Sequence, residues 1–409
     1  GTMAGLTACG DDGTIELTIW GSAAQEQTFK EMAEQFKAAN PDKKYKIKVG
    51  ISEEDMAYSN VSKDPSAAAD VYCYSNDQLI PLLRVGALAR IGGSSLETIK
   101  ANNTEDSVKA ATLVEGGEEK VYGYPYASDN GYFMIYDKSV VSDAQAGRLE
   151  DIIAACAAAQ NKKIAWAIDV PWYTAGWFFS FGCSYNVEYD ERHVEKSITI
   201  DFDNENGVKA SKAIQKLTSN KNVFAGKGTN NSTITTGFAT GTTAVAVTGT
   251  WIAKNIKETL GDNYGVAKLP TVTLDGEPVQ LKSFKGYKMF GVNPHCGTDK
   301  IGEAHKLAAF LSSASMQRER FEKHMVGPTN IEITDLVSGD ETFIALNAQN
   351  EFAVEQTAVP TSFWEPLKEY GLNLMDGLVD EAGTEGAGYT YEARLAYMVN
   401  KIKNTITTA

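Results

Sequence analysis

The chain has 409 residues and a formal net charge of −15. It contains no apolar run of the roughly 18 residues that a membrane-spanning helix needs. That length exceeds what one hydrophobic core usually supports, so two lobes are expected, and the negative field disfavours nucleic acid and anionic ligands. A neutral ligand fits this balance.

At the start, Leu6-Thr7-Ala8-Cys9 precedes a polar stretch, Gly10-Asp11-Asp12-Gly13-Thr14. A small residue before a cysteine resembles the processing site of a bacterial lipoprotein, with Cys9 as the lipid attachment and residues 1–13 as site and tether. On this reading the domain is held on the cell surface, at the outer face of the cytoplasmic membrane. A chance cysteine near a chain end is the alternative. Cys73, Cys156, Cys183 and Cys296 are scattered with no Cys-x-x-Cys pair, and are expected to be mostly free, buried thiols.

An alternating strand follows, Ile15 to Trp20, and then Phe29, Met32, Ala33 and Phe36 mark one apolar stripe on a helix from Gln25 to Ala39. Asn40-Pro41 ends it. Tyr45, Ile47 and Val49 alternate in a second strand. Val71 to Tyr74 is the next, and Leu79 to Val85 is a short helix terminated by Gly86. The same grammar recurs: a helix through Leu149, Ile152, Ile153 and Cys156, a strand Ile164 to Ile168, a strand Thr243 to Val247 leading into a helix from Trp251, and a strand Met289 to Val292. Helices from about Lys300 to Leu311, from Ser315 to Met325, and through Tyr391, Leu395, Met398 and Ile402 complete the pattern. It predicts an α/β chain of two lobes, each a central sheet flanked by helices.

Four aromatics share a pattern. Tyr74 ends a strand, Trp172 and Trp251 each follow a strand through a short turn, and Trp364 begins a helix after Pro360. Ligands of open α/β sheets bind outside the carboxyl ends of strands, and a flat ring there suits the C–H face of a sugar. Asp77, Asp129 and the amides nearby would hold hydroxyls. Each has a duller reading: a tryptophan as core filler, Asp77 as a helix cap, Asp129 as a turn former.

These residues together resemble the extracellular solute-binding proteins of bacterial ABC importers, and among them the maltose and maltodextrin binders. The likeness spans nearly the whole chain: Leu17-Thr18-Ile19-Trp20, the segment Ala69 to Asp77, Gly123-Tyr124-Pro125-Tyr126-Ala127-Ser128-Asp129, the segment Gly241 to Trp251, and Ser362-Phe363-Trp364. The resemblance implies a periplasmic-binding-protein-like fold with a hinge, an N-lobe of residues 14–128 and 286–328, and a C-lobe of 129–285 and 329–409. It implies crossings near Ala127 to Gly131, Ser283 to Gly286 and Gly327 to Asn330. It also implies a ligand set of Tyr74, Asn76, Asp77, Asp129, Trp172, Trp251 and Trp364. After Trp20 the chain departs from the maltose binders: Gly21-Ser22-Ala23-Ala24-Gln25 stands where they carry an acid and a lysine, and Gln25 substitutes in part. The implied function is capture of a neutral oligosaccharide, maltotriose or longer, by a monomer that closes on its hinge and delivers to a membrane permease. No cofactor and no metal are implied.

Other chemistry is missing from the sequence. No phosphate-binding Gly-x-x-x-x-Gly-Lys, no His-Glu-x-x-His and no Gly-x-Ser-x-Gly occurs, and His193, His295, His305 and His324 lack ligand spacing. Asp201 to Gly207 imitates a calcium loop, but its glycine comes one place late, so a capped helix start is expected. Glu53-Glu54-Asp55 and Glu118-Glu119 read as solvated loop charges. The rivals are a surface glycoside hydrolase acting on α-glucans, with Asp77 and Asp129 as a carboxylate pair, and a polymer-binding adhesin.

Overall fold

A computed structural model describes residues 12–383 and 389–404. Cys9 and the expected tether up to residue 11 lie outside the described residues. The chain divides into two compact α/β units. The first holds the residues through Asn130, Glu191–Val194 and Gly286–Val337; the second holds Gly131–Asp190, Glu195–Lys285 and the chain from Ser338.

In the first unit five strands form a mixed sheet in the order Tyr45–Ile51, Ile15–Gly21, Val71–Ser75, Lys288–Val292, Tyr124–Ala127. The first three run parallel, and Lys288–Val292 enters antiparallel between its two neighbours. Helix Glu26–Ala39 buries Phe29, Met32, Ala33 and Phe36, the stripe its spacing predicts, and the Asn40 side-chain amide donates to the Phe36 carbonyl at 2.8 Å, closing the last turn. Gln25 lies just ahead of this helix, in a 3₁₀ turn over Ala23–Gln25. Helices Ile301–Leu311 and Ala314–His324 belong to the same unit.

The second unit repeats the plan in the strand order Val223–Phe224, Lys163–Ala165, Thr243–Thr248, Phe133–Asp137, Tyr264–Ala267. Its core gathers helices Pro171–Ser180, Glu205–Thr218, Trp364–Met375 and Tyr391–Lys403 around Phe178, Phe202, Leu367 and Leu395. The strand expected over Ile164 to Ile168 stops at Ala165, because the chain turns there: the Ile168 amide donates to the Trp166 carbonyl and the Val170 amide to the Ala167 carbonyl. Asn204 caps helix Glu205–Thr218 by accepting from the Gly207 amide at 3.1 Å, so the calcium-like segment is a helix start.

The last division falls after Val337, where residue 328 was the expected place. Asn330 explains this, since its amide donates to Gln317 at 2.9 Å and it pairs with Asn103, so the following helix Ile331–Val337 stays with the first unit. Glu191–Val194 joins the first unit through Arg84, whose guanidinium donates to the His193 carbonyl at 2.8 and 3.1 Å, and through a contact of the His193 ring with Glu115. Cys73, Cys156 and Cys183 are buried free thiols and Cys296 is a half-buried one. Among the described residues no helix is long and apolar enough to cross a membrane, and no cluster of His, Cys, Asp and Glu could hold a metal.

Candidate binding residues in each unit

In the second unit each of the three expected tryptophans opens a helix. Trp172 is the second residue of Pro171–Ser180, Trp251 the second of Thr250–Leu260, and Trp364 the first of Trp364–Met375. Pro171 sets the entry torsion of its helix at no hydrogen-bond cost, and extended Gly249 leads into the next. The rings of Trp172 and Trp251 lie 5.9 Å apart at 44°. Tyr132 and Tyr173 pack on Trp172 at 4.8 and 5.2 Å. The Trp172 indole donates to the Gln356 side chain at 3.0 Å, and the Trp251 indole to Asn231 at 3.1 Å. Both polar edges are thereby fixed while Trp251 stays 39% exposed. Trp251 also lies over Gly249, where a Cβ would come within 2.1 Å of the ring. Glycine is what lets the indole lie there.

Gln356 follows strand Ala353–Glu355, which pairs in parallel with Ser283–Lys285. Beside it, burial raises the Glu355 carboxyl above its ordinary range although the Thr357 amide and hydroxyl both donate to it. Trp364 packs against Phe284 at 5.6 Å and Phe363 at 5.3 Å.

In the first unit the expectations divide. Tyr74 is a correction: the strand runs on to Ser75, and Tyr74 is fully buried, its hydroxyl donating to the Tyr122 carbonyl at 3.1 Å. Gly123 and Gly291 make room for it, since a Cβ at either would press on the Tyr74 side chain. It is a core residue of a sheet covered on both faces. Asn76 is a second correction. Its amide donates to the Tyr287 carbonyl and its side-chain oxygen accepts from the Tyr287 amide, both at 3.0 Å, so this fully buried residue clamps backbone.

Asp129 is buried and accepts from the Gly327 amide at 2.8 Å, tying its turn to a second loop. Asp77 is half-buried and caps no helix. Its two oxygens accept from the Ser75 hydroxyl at 2.7 Å and the Gln78 side-chain amide at 3.0 Å, and burial raises its carboxyl above the ordinary range against both bonds. The side-chain oxygen of Gln25 is buried with no partner among the described residues.

Sequence reasoning missed a polar group in this unit. Glu54 accepts from the Tyr126 hydroxyl at 3.0 Å, and Glu53 accepts from the Ala23 amide at 2.9 Å, so these two are structural acceptors and not merely solvated charges. Burial would pull the Lys288 ammonium down, yet Glu54, then Asp129, outweigh it and hold it above its ordinary value. Behind Tyr126 the buried Arg320 guanidinium stacks on Phe29, Tyr126 and Phe290 at 5.0, 5.1 and 5.0 Å. The alternation Tyr124-Pro125-Tyr126 was the available signal: two aromatics on one side of a strand that ends at the polar turn before Asp129.

Two α/β units that the chain enters more than once, with a half-buried aromatic pair in one and a cluster of acids and a lysine in the other, are the arrangement of a ligand-binding protein. The chain belongs to the bacterial extracellular solute-binding protein family, whose model matches residues 31–345. It is similar to a protein solved with acarbose, at 29% identity and a TM-score of 0.81, covering 97% of this chain and all of that one. It is also similar in fold to a maltodextrin-binding protein, MalE1, from L. casei (23% identity, TM-score 0.78, 95% and 99% covered). A maltotriose-binding protein from Thermus thermophilus shares the fold as well (18%, 0.77, 96% and 100%). The comparison with curated proteins gave no match. The fold is the two-lobe periplasmic-binding type, and the family is one of binding proteins and not of enzymes.

Proposed function

We propose that the chain is the substrate-binding component of an ABC importer for a neutral oligosaccharide, with α-1,4-linked maltooligosaccharides of three or more units as ligand. The observation that carries this is the pair Trp172 and Trp251, with indole edges tied to Gln356 and Asn231 and Trp251 left 39% exposed. Such a pair offers adjacent sugar rings a large apolar contact at small side-chain entropy cost. Asp77, Gln25, Asp129 and Trp364 are the further contacts of this reading, and hinge closure is its mechanism: a ligand with higher affinity for the closed form shifts the population toward it. Lipid attachment at Cys9 and delivery to a permease complete it. The neighbours solved with acarbose and maltotriose support the ligand class.

Calorimetric titration and thermal melts with maltotriose, maltotetraose, other neutral sugars, peptides and organic anions test the reading. Saturable binding of maltooligosaccharides, with a melting temperature that rises with ligand concentration, is the expected result. No response to any sugar together with a response to peptides or anions would overturn the ligand class, and release of shortened glucans would overturn the transport reading.

A further inference from the structure

A cavity of about 400 Å³ opens in the second unit, among residues that the sugar reading does not use. That size is ordinary for a small-molecule site. Ile153, Trp177, Phe181 and Leu274 give it an apolar lining, and helix Glu205–Thr218 sets Lys209, Lys212 and Lys216 along it. Their spacing of three and four residues puts the three ammonium groups on one helix face, while Ala210 and Ile214 bury the other. In a chain of net charge −15, three lysines beside an apolar cavity form a local exception.

Their charges are only partly matched. Lys209 reaches Glu205 at 4.0 Å and Lys212 reaches Glu381 at 3.3 Å, both through solvent-exposed contacts of small worth, and Lys216 has no ion-pair partner among the described residues. Trp177 is 2% exposed, and its indole N–H has no acceptor among the described residues. Two carboxylates oppose an anion. Glu150 uses one oxygen on the Thr273 amide at 2.6 Å and keeps the other buried and unmatched; Asp275 lies in the exposed turn between strands Thr271–Leu274 and Glu277–Gln280. Both belong to elements other than the lysine helix: Glu150 to helix Leu149–Ala158 and Asp275 to that turn.

We propose that this cavity is a second binding site, separate from the sugar residues, for a small apolar carboxylate: its body lies on Ile153, Phe181 and Trp177 and its charged end is held by Lys209, Lys212 and Lys216. The inference does not rest on the sugar reading, since it needs only the second unit's fold.

Titration of the full chain with 4-phenylbutyrate and its neutral amide, 4-phenylbutyramide, tests it. The acid binds saturably and about tenfold more tightly than the amide, the equivalent of about 1.4 kcal/mol. The surface double variant Lys209→Glu, Lys216→Glu abolishes that preference, and Ala213→Trp, which fills the cavity from the same helix, blocks both probes; maltotriose binding stays at the parent level in each. Should Ala213→Trp fail to fold, the lysine variant still decides. Absence of saturable binding, equal affinity for acid and amide, or an acid affinity untouched by the lysine changes would overturn the proposal.

Discussion

Trp251 and Tyr74 show what a single side chain can and cannot announce. Both are aromatics near the end of a β-strand in the sequence, yet Trp251 is 39% exposed and Tyr74 fully buried. Trp251→Ala should therefore leave the melting temperature of the free protein nearly unchanged and weaken maltooligosaccharide binding by tenfold to a hundredfold, on the order of 2 kcal/mol as for an aromatic anchor. Tyr74→Ala should cost about 3–5 kcal/mol of stability, the range for emptying an aromatic site in a core. Denaturant unfolding beside calorimetric titration separates the two; a large stability loss at Trp251 with binding intact would make it a core residue. The distinction was legible only in part. Alternation cannot tell the last residue of a strand from the one before it, and the strand continued to Ser75 because Lys288–Val292 pairs with it that far. Glu54 was illegible for another reason: its partner, the Tyr126 hydroxyl, lies 72 positions away.

The helix starts were the most readable elements. Gly249 punctuates the chain just before Trp251, and the helix expected from there is found, whereas the helix that opens at Pro171 was not expected, since its residues are apolar nearly all round. What the pattern could not supply is the fit of ring against backbone. Gly249 has ordinary extended torsions, so alanine is tolerated by the backbone, but its methyl would drive the Trp251 ring away from Trp172 and from Asn231. Because the ring is half free, it can swing aside at little cost to folding. Gly249→Ala is expected to approach Trp251→Ala in sugar affinity while melting within a few degrees of the parent. Parent-like affinity would show that the ring's placement over Gly249 is irrelevant to binding. Strands were less readable than helices, as Lys163–Ala165 shows, where buried Trp166 and Ile168 continue the apolar run after the ladder has ended.

Across the whole molecule, charge separates the two proposed ligands. A surplus of 15 negative charges repels anions at long range, and salt within a Debye length of about 10 Å at 0.1 M screens that field. Affinity for a neutral oligosaccharide should accordingly change less than about twofold between low and high ionic strength in calorimetric titrations. A strong salt dependence would mean that charged groups of the ligand carry the binding.

The division of the chain has a consequence for its synthesis. The strand Lys288–Val292 lies inside the first unit's sheet, between Val71–Ser75 and Tyr124–Ala127, yet it is made only after most of the second unit. A nascent chain that has emerged as far as Lys285 therefore carries two unzipped borders at the heart of its earliest sheet, each able to recruit a foreign strand. Completion of the N-terminal half must wait for a late segment, which makes the interval before residue 288 the period in which the growing polypeptide most needs a holding chaperone.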